Sequence, residues 1–125
     1  MNSDDIDLFC KVFIDTDFGR EEVVSFVSES IDGTIERWSV SNKYCNLDLL
    51  RNDDFNEAKR AQGPDGFLFS RYYLEIEPNE ETESSAYIKC ISELLTKLWN
   101  NGFKAVAACD FEDVLPRKGG YDSTT

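Results

Sequence analysis

The chain has 125 residues, of which 41% are hydrophobic and 30% charged, and this is enough for a single domain, 1–125, with its own core. Its 25 Asp and Glu residues outnumber 13 Lys and Arg residues, and the net charge of −12 argues against binding to nucleic acid or to an anionic membrane. The sequence contains no histidine, which excludes Ser-His and Cys-His nucleophile pairs, imidazole acid–base catalysis and histidine-ligated metal sites.

The first half of the chain predicts a strand, a helix and two further short strands. After a polar lead at 1–7, segment 8–15 carries apolar residues on both faces, which is typical of a central strand. Valines, Phe26 and Ile31 then recur at helical spacing, and Gly33 marks the end of the predicted helix. Alternating residues predict strands at 34–40 and 47–51.

The second half begins with a long polar segment, 52–66, closed by Gly63, Pro64 and Gly66. Loops of this length are uncommon in small domains and are often functional. Segment 67–78 is the longest predicted strand, and 84–101 predicts a long amphipathic helix. Small apolar residues at 103–109 predict a tightly packed strand, and 117–125, like 1–7, is predicted to be flexible.

These elements give the order β-α-β-β-β-α-β. Two helices separated by strands favour an α+β domain with both helices on one face of the sheet. The predicted architecture is therefore a ferredoxin-like sheet that carries one additional strand.

The four cysteines, Cys10, Cys45, Cys90 and Cys109, show no spacing typical of a zinc or thioredoxin-like site. We expect all four to be reduced, and the acidic N-terminus does not resemble a signal peptide. Both features predict a cytoplasmic protein. Cys109 is predicted to be a poor thiolate, because Asp110 beside it should raise the pKa of the thiol.

Two carboxylate groups follow predicted strands. Asp15 and Asp17 follow the first strand, and Asp110, Glu112 and Asp113 follow the last. They converge only if these two strands run in the same direction, which requires 34–40 and 47–51 to be separate antiparallel strands. Converged carboxylates would bind Mg²⁺ or Ca²⁺, or raise the pKa of one acid. The simpler interpretation is that polar residues stand where strands meet water, so no metal or other cofactor is predicted.

The long loop opens with Asp53, Asp54 and Phe55. An aromatic residue beside paired acids is typical of an interface hot spot, whereas the alternative is a turn in which Phe55 folds back as a lid on the core. Arg71 interrupts an aromatic segment and is expected to stack on the adjacent rings of Phe69 and Tyr73 or to pair with an acid. The candidate partner-binding residues are Asp53, Asp54, Phe55, Asp110, Glu112 and Asp113.

The chain resembles the small, acidic, cytosolic α+β proteins that act as immunity partners of bacterial toxins. The resemblance rests on size, on the charge of −12, on the lack of catalytic groups and on the acidic segments "RNDDFNEAKRA" and "CDFEDVLP". It implies stoichiometric neutralisation without enzymatic activity, in which carboxylates on an exposed loop or sheet edge occupy the basic active site of a toxin.

Two other functions remain open. One is a carboxylate-based enzyme that depends on a divalent metal. The other is a regulatory module that forms a homodimer through the outer face of its sheet. The apolar residues expected on that face are Phe9, Phe13, Phe67, Phe69 and Tyr73.

Overall fold

The sheet is built around its first strand, β1 (Cys10–Asp15). A computed structural model describes residues 7–63 and 65–120, and in it β1 is buried on one face and partly buried on the other, as the sequence predicts. It pairs antiparallel with β5 (Tyr72–Pro78) on one side and with β6 (Lys104–Cys109) on the other. Within the described part of the chain, β6 forms one edge of the sheet.

Three further strands extend the sheet beyond β5. They are β4 (Cys45–Arg51), β3 (Ser39–Ser41) and β2 (Thr34–Glu36), each paired antiparallel with its neighbour. The strand order is β2-β3-β4-β5-β1-β6. The α+β class is therefore confirmed, but the sheet is larger than predicted and the exact ferredoxin-like order is not confirmed.

Two helices, α1 (Arg20–Ile31) and α2 (Ser84–Asn100), pack side by side against one face of the sheet. The Gly19 N–H at the start of α1 donates to the Glu22 carboxylate at 3.0 Å, which satisfies a backbone donor that the helix cannot. In α2, the predicted apolar stripe is buried. The core between the helices and the sheet includes Val12, Ile14, Val23, Val27, Leu47, Leu49, Leu74, Ile76, Tyr87, Ile91, Leu94, Leu95 and Leu98.

The strand predicted at 34–40 is instead two short strands, β2 and β3, joined by a tight turn. Arg37 has a left-handed φ of 58°, and this conformation reverses the chain. The resulting hairpin adds a strand to the sheet and an additional reversal of chain direction.

The strand predicted at 67–78 begins only at Tyr72, because Gly66–Phe69 forms a 3-10 turn. The Ser70 hydroxyl donates to the Phe67 carbonyl at 2.7 Å. The Asn52 side-chain amide donates to the carbonyls of Leu68 and Ser70 at 3.0 and 2.8 Å. These side chains bind backbone groups that would otherwise pair in a strand.

The C-terminal segment Pro116–Gly120 packs along the outer edge of β6. The Trp99 indole N–H donates to the Ala105 carbonyl at 2.9 Å, and a side chain at Gly120 would clash with the same carbonyl. Of the residues predicted to be flexible, 117–120 thus belong to a packed segment, whereas 1–6 and 121–125 lie outside the described residues. No helix in the described ranges is long and apolar enough to cross a membrane.

Candidate functional site

The direction of β6 separates the two carboxylate groups that follow the first and last predicted strands. Asp15 is the register partner of Lys104, and Cys10 is the register partner of Cys109, so β6 runs opposite to β1. Asp15 and Asp17 therefore lie at one end of the sheet, and 110–113 lies at the other. These two groups, whose convergence the sequence leaves open, are therefore separated, because the β2–β3 hairpin reverses the chain once more than the predicted strands allow.

A different convergence occurs instead. Strand β5 runs parallel to β6 with β1 between them, and Ile76 and Cys109 are both register partners of Cys10. The acidic segment that ends β5 and the acidic segment that follows β6 thus leave the sheet at the same end. We call this group the acidic end; its carboxylates are Asp7, Glu75, Glu77, Glu80, Glu81, Asp110, Glu112 and Asp113.

Local hydrogen bonds hold part of the acidic end in place. The Glu112 carboxylate accepts the Cys109 N–H at 2.9 Å, and the Asp110 carboxylate accepts the Asp7 N–H at 3.3 Å. Phe111 and Leu115 are buried and anchor the segment to the core. Asp110 and Asp113 are consequently exposed on a segment that is already ordered.

No ion pair in residues 7–63 and 65–120 uses a carboxylate of the acidic end. Lys11 is the register partner of Glu75, but its ammonium lies over the Tyr73 ring, 4.1 Å from the ring centroid. On the other side, Glu75 directly faces Asp48 of β4, and like charges in register repel each other. Negative charge at this end is therefore largely uncompensated.

The opposite end of the sheet, which we call the arginine end, is organised around Arg60. Its guanidinium lies 2.7 Å from Asp17, 3.1 Å from Glu57 and 3.3 Å from Asp15. The hydrogen bond from Arg60 lowers the pKa of the Asp17 carboxyl and raises the pKa of Arg60 itself. Arg60 was not identified from the sequence as part of a site. The signal that could have indicated it is that Arg60 is the one arginine in the acidic segment 52–66.

Phe55 lies between two guanidiniums at the arginine end. Its ring centroid is 4.4 Å from Arg71 and 5.4 Å from Arg60. Arg71 also donates to the Thr16 carbonyl at 3.1 Å. Arg71 thus stacks on Phe55 and not on the neighbouring rings of its own segment, and the alternative pairing with an acid is present as a contact of 3.8 Å to Asp17. Phe55 does fold back, but onto arginines and not onto the core.

The six candidate partner-binding residues do not form one surface. Asp53 and Asp54 are exposed. They lie at the arginine end, because the Asn52 N–H just before them donates to the Arg71 carbonyl at the start of β5. Asp110, Glu112 and Asp113 lie at the acidic end. A single flat interface therefore uses one group or the other.

The apolar outer face expected for a homodimer is partly covered by the chain itself. The ring of Phe67 packs against Phe13, with centroids 5.3 Å apart, and Phe13 is 6% exposed. Phe9 is 37% exposed and Tyr73 is half-buried beside Lys11. This face is less apolar at its surface than the sequence suggests.

The four free cysteines form two neighbouring pairs. Cys45 Sγ lies 4.0 Å from Cys90 Sγ, and Cys10 faces Cys109 across β1 and β6. A hydrogen bond from Cys45 lowers the pKa of Cys90 to about 7. A hydrogen bond from Cys10 likewise lowers the pKa of Cys109, and this outweighs Asp110 and Glu112. The predicted direction for Cys109 is therefore wrong, since its partner is distant in sequence.

Within the described ranges, no group of three or more Cys, Asp and Glu side chains is arranged to hold a metal ion. Comparison with known proteins returned no matching family model, no matching curated protein and no matching solved structure.

Proposed function

We propose that this chain is a non-enzymatic acidic binding protein whose acidic end docks on a basic protein. The observation that carries the proposal is the distribution of ion pairs. In the described part of the chain, the paired carboxylates are Asp15, Asp17 and Glu57, all at the arginine end. Within residues 7–63 and 65–120, the carboxylates of the acidic end form no ion pair, so their charge is available to a basic partner.

The two ends are far enough apart to act separately. Strand β1 spans the sheet between them, and its six residues extend over roughly 17 Å. This is about two Debye lengths at physiological salt, where one Debye length is about 8 Å. The arginines therefore do little to neutralise the acidic end, which is free to steer a basic protein toward itself.

The most specific form of the proposal is an immunity-type role. The carboxylates of the acidic end would occupy a basic active site where that enzyme normally binds the phosphates of its substrate. The ordered segment that holds Asp110 and Asp113 supports this role, because a surface that is already rigid loses less conformational entropy on binding.

Docking at the acidic end is favoured over docking through Asp53, Asp54 and Phe55. The Phe55 ring already lies against the guanidiniums of Arg60 and Arg71, which leaves less of it free to anchor a partner. Asp53 and Asp54 also lie close to this arginine cluster, which weakens the attraction they exert on a second cationic protein.

We infer that β4-β5-β1-β6 and the two helices form a ferredoxin-like unit to which the β2–β3 hairpin is added; the order of these four strands supports this. An experimental structure would test this topology.

We also infer a cytoplasmic location, which is supported by the four free thiols. Cell fractionation would test it.

The function is tested by capture and reconstitution. The immobilised chain is exposed to an extract of its source cells at an ionic strength of about 0.01 M, where the Debye length is about 30 Å. A captured basic protein is then purified and mixed with the chain in equal amounts. We expect an equimolar complex in which the activity of the captured protein is lost. Retention of no basic protein, or of one whose activity is unchanged at saturation, contradicts the proposal.

A further inference from the structure

A cavity of about 550 Å³ opens at the arginine end, beside the start of β6. This volume lies within the range of roughly 300–1,000 Å³ that is typical of small-ligand sites. Three aromatic side chains contribute to its walls: Phe67, Trp99 and Phe103. Such walls favour a ligand with a flat apolar part.

The charged groups that line this cavity are mainly cationic, although the chain as a whole carries a charge of −12. They are Arg60, Lys104 and Arg117, with Asp15 as the carboxylate. Arg60 pairs with Asp15 at 3.3 Å and also with Asp17 and Glu57, so its charge is already compensated. Lys104 and Arg117 have no ion pair within residues 7–63 and 65–120. Two cations that form no ion pair thus line the same cavity, of which Lys104 is the register partner of Asp15.

Arg117 is held in place by its surroundings. Its guanidinium lies over the Trp99 ring, 4.7 Å from the centroid, and the Trp99 indole is in turn bonded to the Ala105 carbonyl. The backbone of Arg117 is left-handed, with φ of 53°, and Lys118 follows with φ of 50°. Such conformations are unfavourable for residues with a Cβ atom, and they recur at ligand-binding sites.

We propose that this cavity binds a small organic anion in which an aromatic ring stands next to a carboxylate. The ring would lie among the aromatic walls, and the carboxylate would accept hydrogen bonds from the ammonium of Lys104 and the guanidinium of Arg117. A single negative charge fits better than a dianion, because the overall charge of the chain disfavours highly charged anions. The cavity and the acidic end lie at opposite ends of β1, so this site is independent of the proposed function.

The site is tested with phenylacetate as the probe and with the indole N–H resonance of Trp99 as the NMR signal. The chain has two tryptophans, so a Trp38→Phe background leaves only Trp99 to observe. We expect a saturable shift with Kd on the order of 1–10 mM, which is ordinary for a ligand of this size. Phenylacetamide, which lacks the charge, and acetate and inorganic phosphate, which lack the ring, should shift the signal far less.

Charge-removing variants then locate the binding groups. Lys104→Gln and Arg117→Gln should each weaken phenylacetate binding about fivefold or more, equivalent to about 1 kcal/mol. Lys118→Gln is the matched control, because it removes the same charge from the next left-handed residue, which does not line the cavity. The affinity of Lys118→Gln for phenylacetate should stay within about twofold of the parent. Preserved NMR dispersion shows that each variant is folded.

Three results would overturn the proposal. The first is a Trp99 signal that phenylacetate does not move at concentrations well above the expected Kd. The second is an equal shift with phenylacetamide, acetate or phosphate. The third is a loss of affinity in Lys118→Gln as large as that in Arg117→Gln.

Discussion

Ile76 and Cys109 lie on either side of the same residue, Cys10, and this register makes β5 and β6 end together. Two acidic segments that are distant in sequence therefore meet at one end of the sheet. The arginine cluster lies at the other end of β1, where Arg60 binds three carboxylates. The molecule thus separates its compensated from its uncompensated negative charge, and the proposed docking follows from that separation.

Removing the repulsion between Asp48 and Glu75 should stabilise the protein. Asp48→Asn deletes one of two like charges in register, and its side-chain oxygen still accepts the Ser39 hydroxyl. We expect the free energy of unfolding in urea to rise by about 0.3–1 kcal/mol at low salt and by less at high salt. Asp53→Asn is the control, because it removes one charge from an exposed loop residue that is not in register with another acid. An equal gain in that control would mean that only net charge matters.

The hydrogen bond from Arg60 should be visible in the titration of Asp17. It lowers the pKa of this carboxyl from its ordinary value of 3.8. Because the folded pKa is lower than the unfolded one, the resulting stability is present above the unfolded pKa and is lost as pH falls through the folded pKa. In Arg60→Gln, the pKa of Asp17 should return toward 3.8, as followed by NMR. In Lys59→Gln, which keeps Arg60, the pKa of Asp17 should stay low. A pKa of Asp17 that is the same in Arg60→Gln and in the parent would refute the assignment.

Tyr87 should contribute to stability through its hydroxyl group. The hydroxyl oxygen lies 2.6 Å from the Leu8 carbonyl and 3.0 Å from the Ile76 carbonyl, and the residue is fully buried. Burial raises the pKa of this phenol, so it remains a donor at all ordinary pH values. Tyr87→Phe should lower the free energy of unfolding by about 1–2 kcal/mol. Tyr44→Phe removes a hydroxyl from a half-buried ring and should cost less than about 0.5 kcal/mol; equal losses would contradict the role of the bond.

Cys109 should be the first thiol to react with iodoacetamide, because it is half-buried whereas Cys10, Cys45 and Cys90 are buried. The hydrogen bond from Cys10 lowers its pKa, so its thiolate forms at lower pH than that of a free cysteine. In Cys10→Ala, the pH midpoint of alkylation at Cys109 should move upward, as measured by mass spectrometry of the peptide. Cys45→Ala should leave this midpoint in place. An alkylation midpoint of Cys109 that is the same in Cys10→Ala and in the parent would show that the two thiols do not interact.

Local patterns in the sequence predict most of the elements. The stripe from Tyr87 to Leu98 defines α2, and the apolar residues on both faces of segment 8–15 define β1 as a central strand. In each case the decisive interactions are repeated along a single element, so periodicity reports them.

The deviations from prediction arise from interactions that no local pattern contains. Arg37 adopts a left-handed turn without the glycine or asparagine that usually signals one. Asn52 binds the Ser70 carbonyl from 18 residues away and prevents a strand there. Glu77 and Asp110 lie at the same end of the sheet only because of the number of chain reversals between them, and the unpredicted hairpin changes that number.

The most direct test of docking at the acidic end is the affinity for the captured basic protein, measured as a function of salt in two matched variants. One is Glu77→Gln/Asp110→Asn/Asp113→Asn at the acidic end. The other is Asp53→Asn/Asp54→Asn/Asp65→Asn in the loop at the arginine end, which removes the same number of charges from exposed residues.

We predict that the acidic-end variant binds about 100-fold more weakly at low salt, with a smaller dependence on salt, and that the loop variant stays within about threefold of the parent. Equal losses in both variants, or a larger loss in the loop variant, would contradict the account.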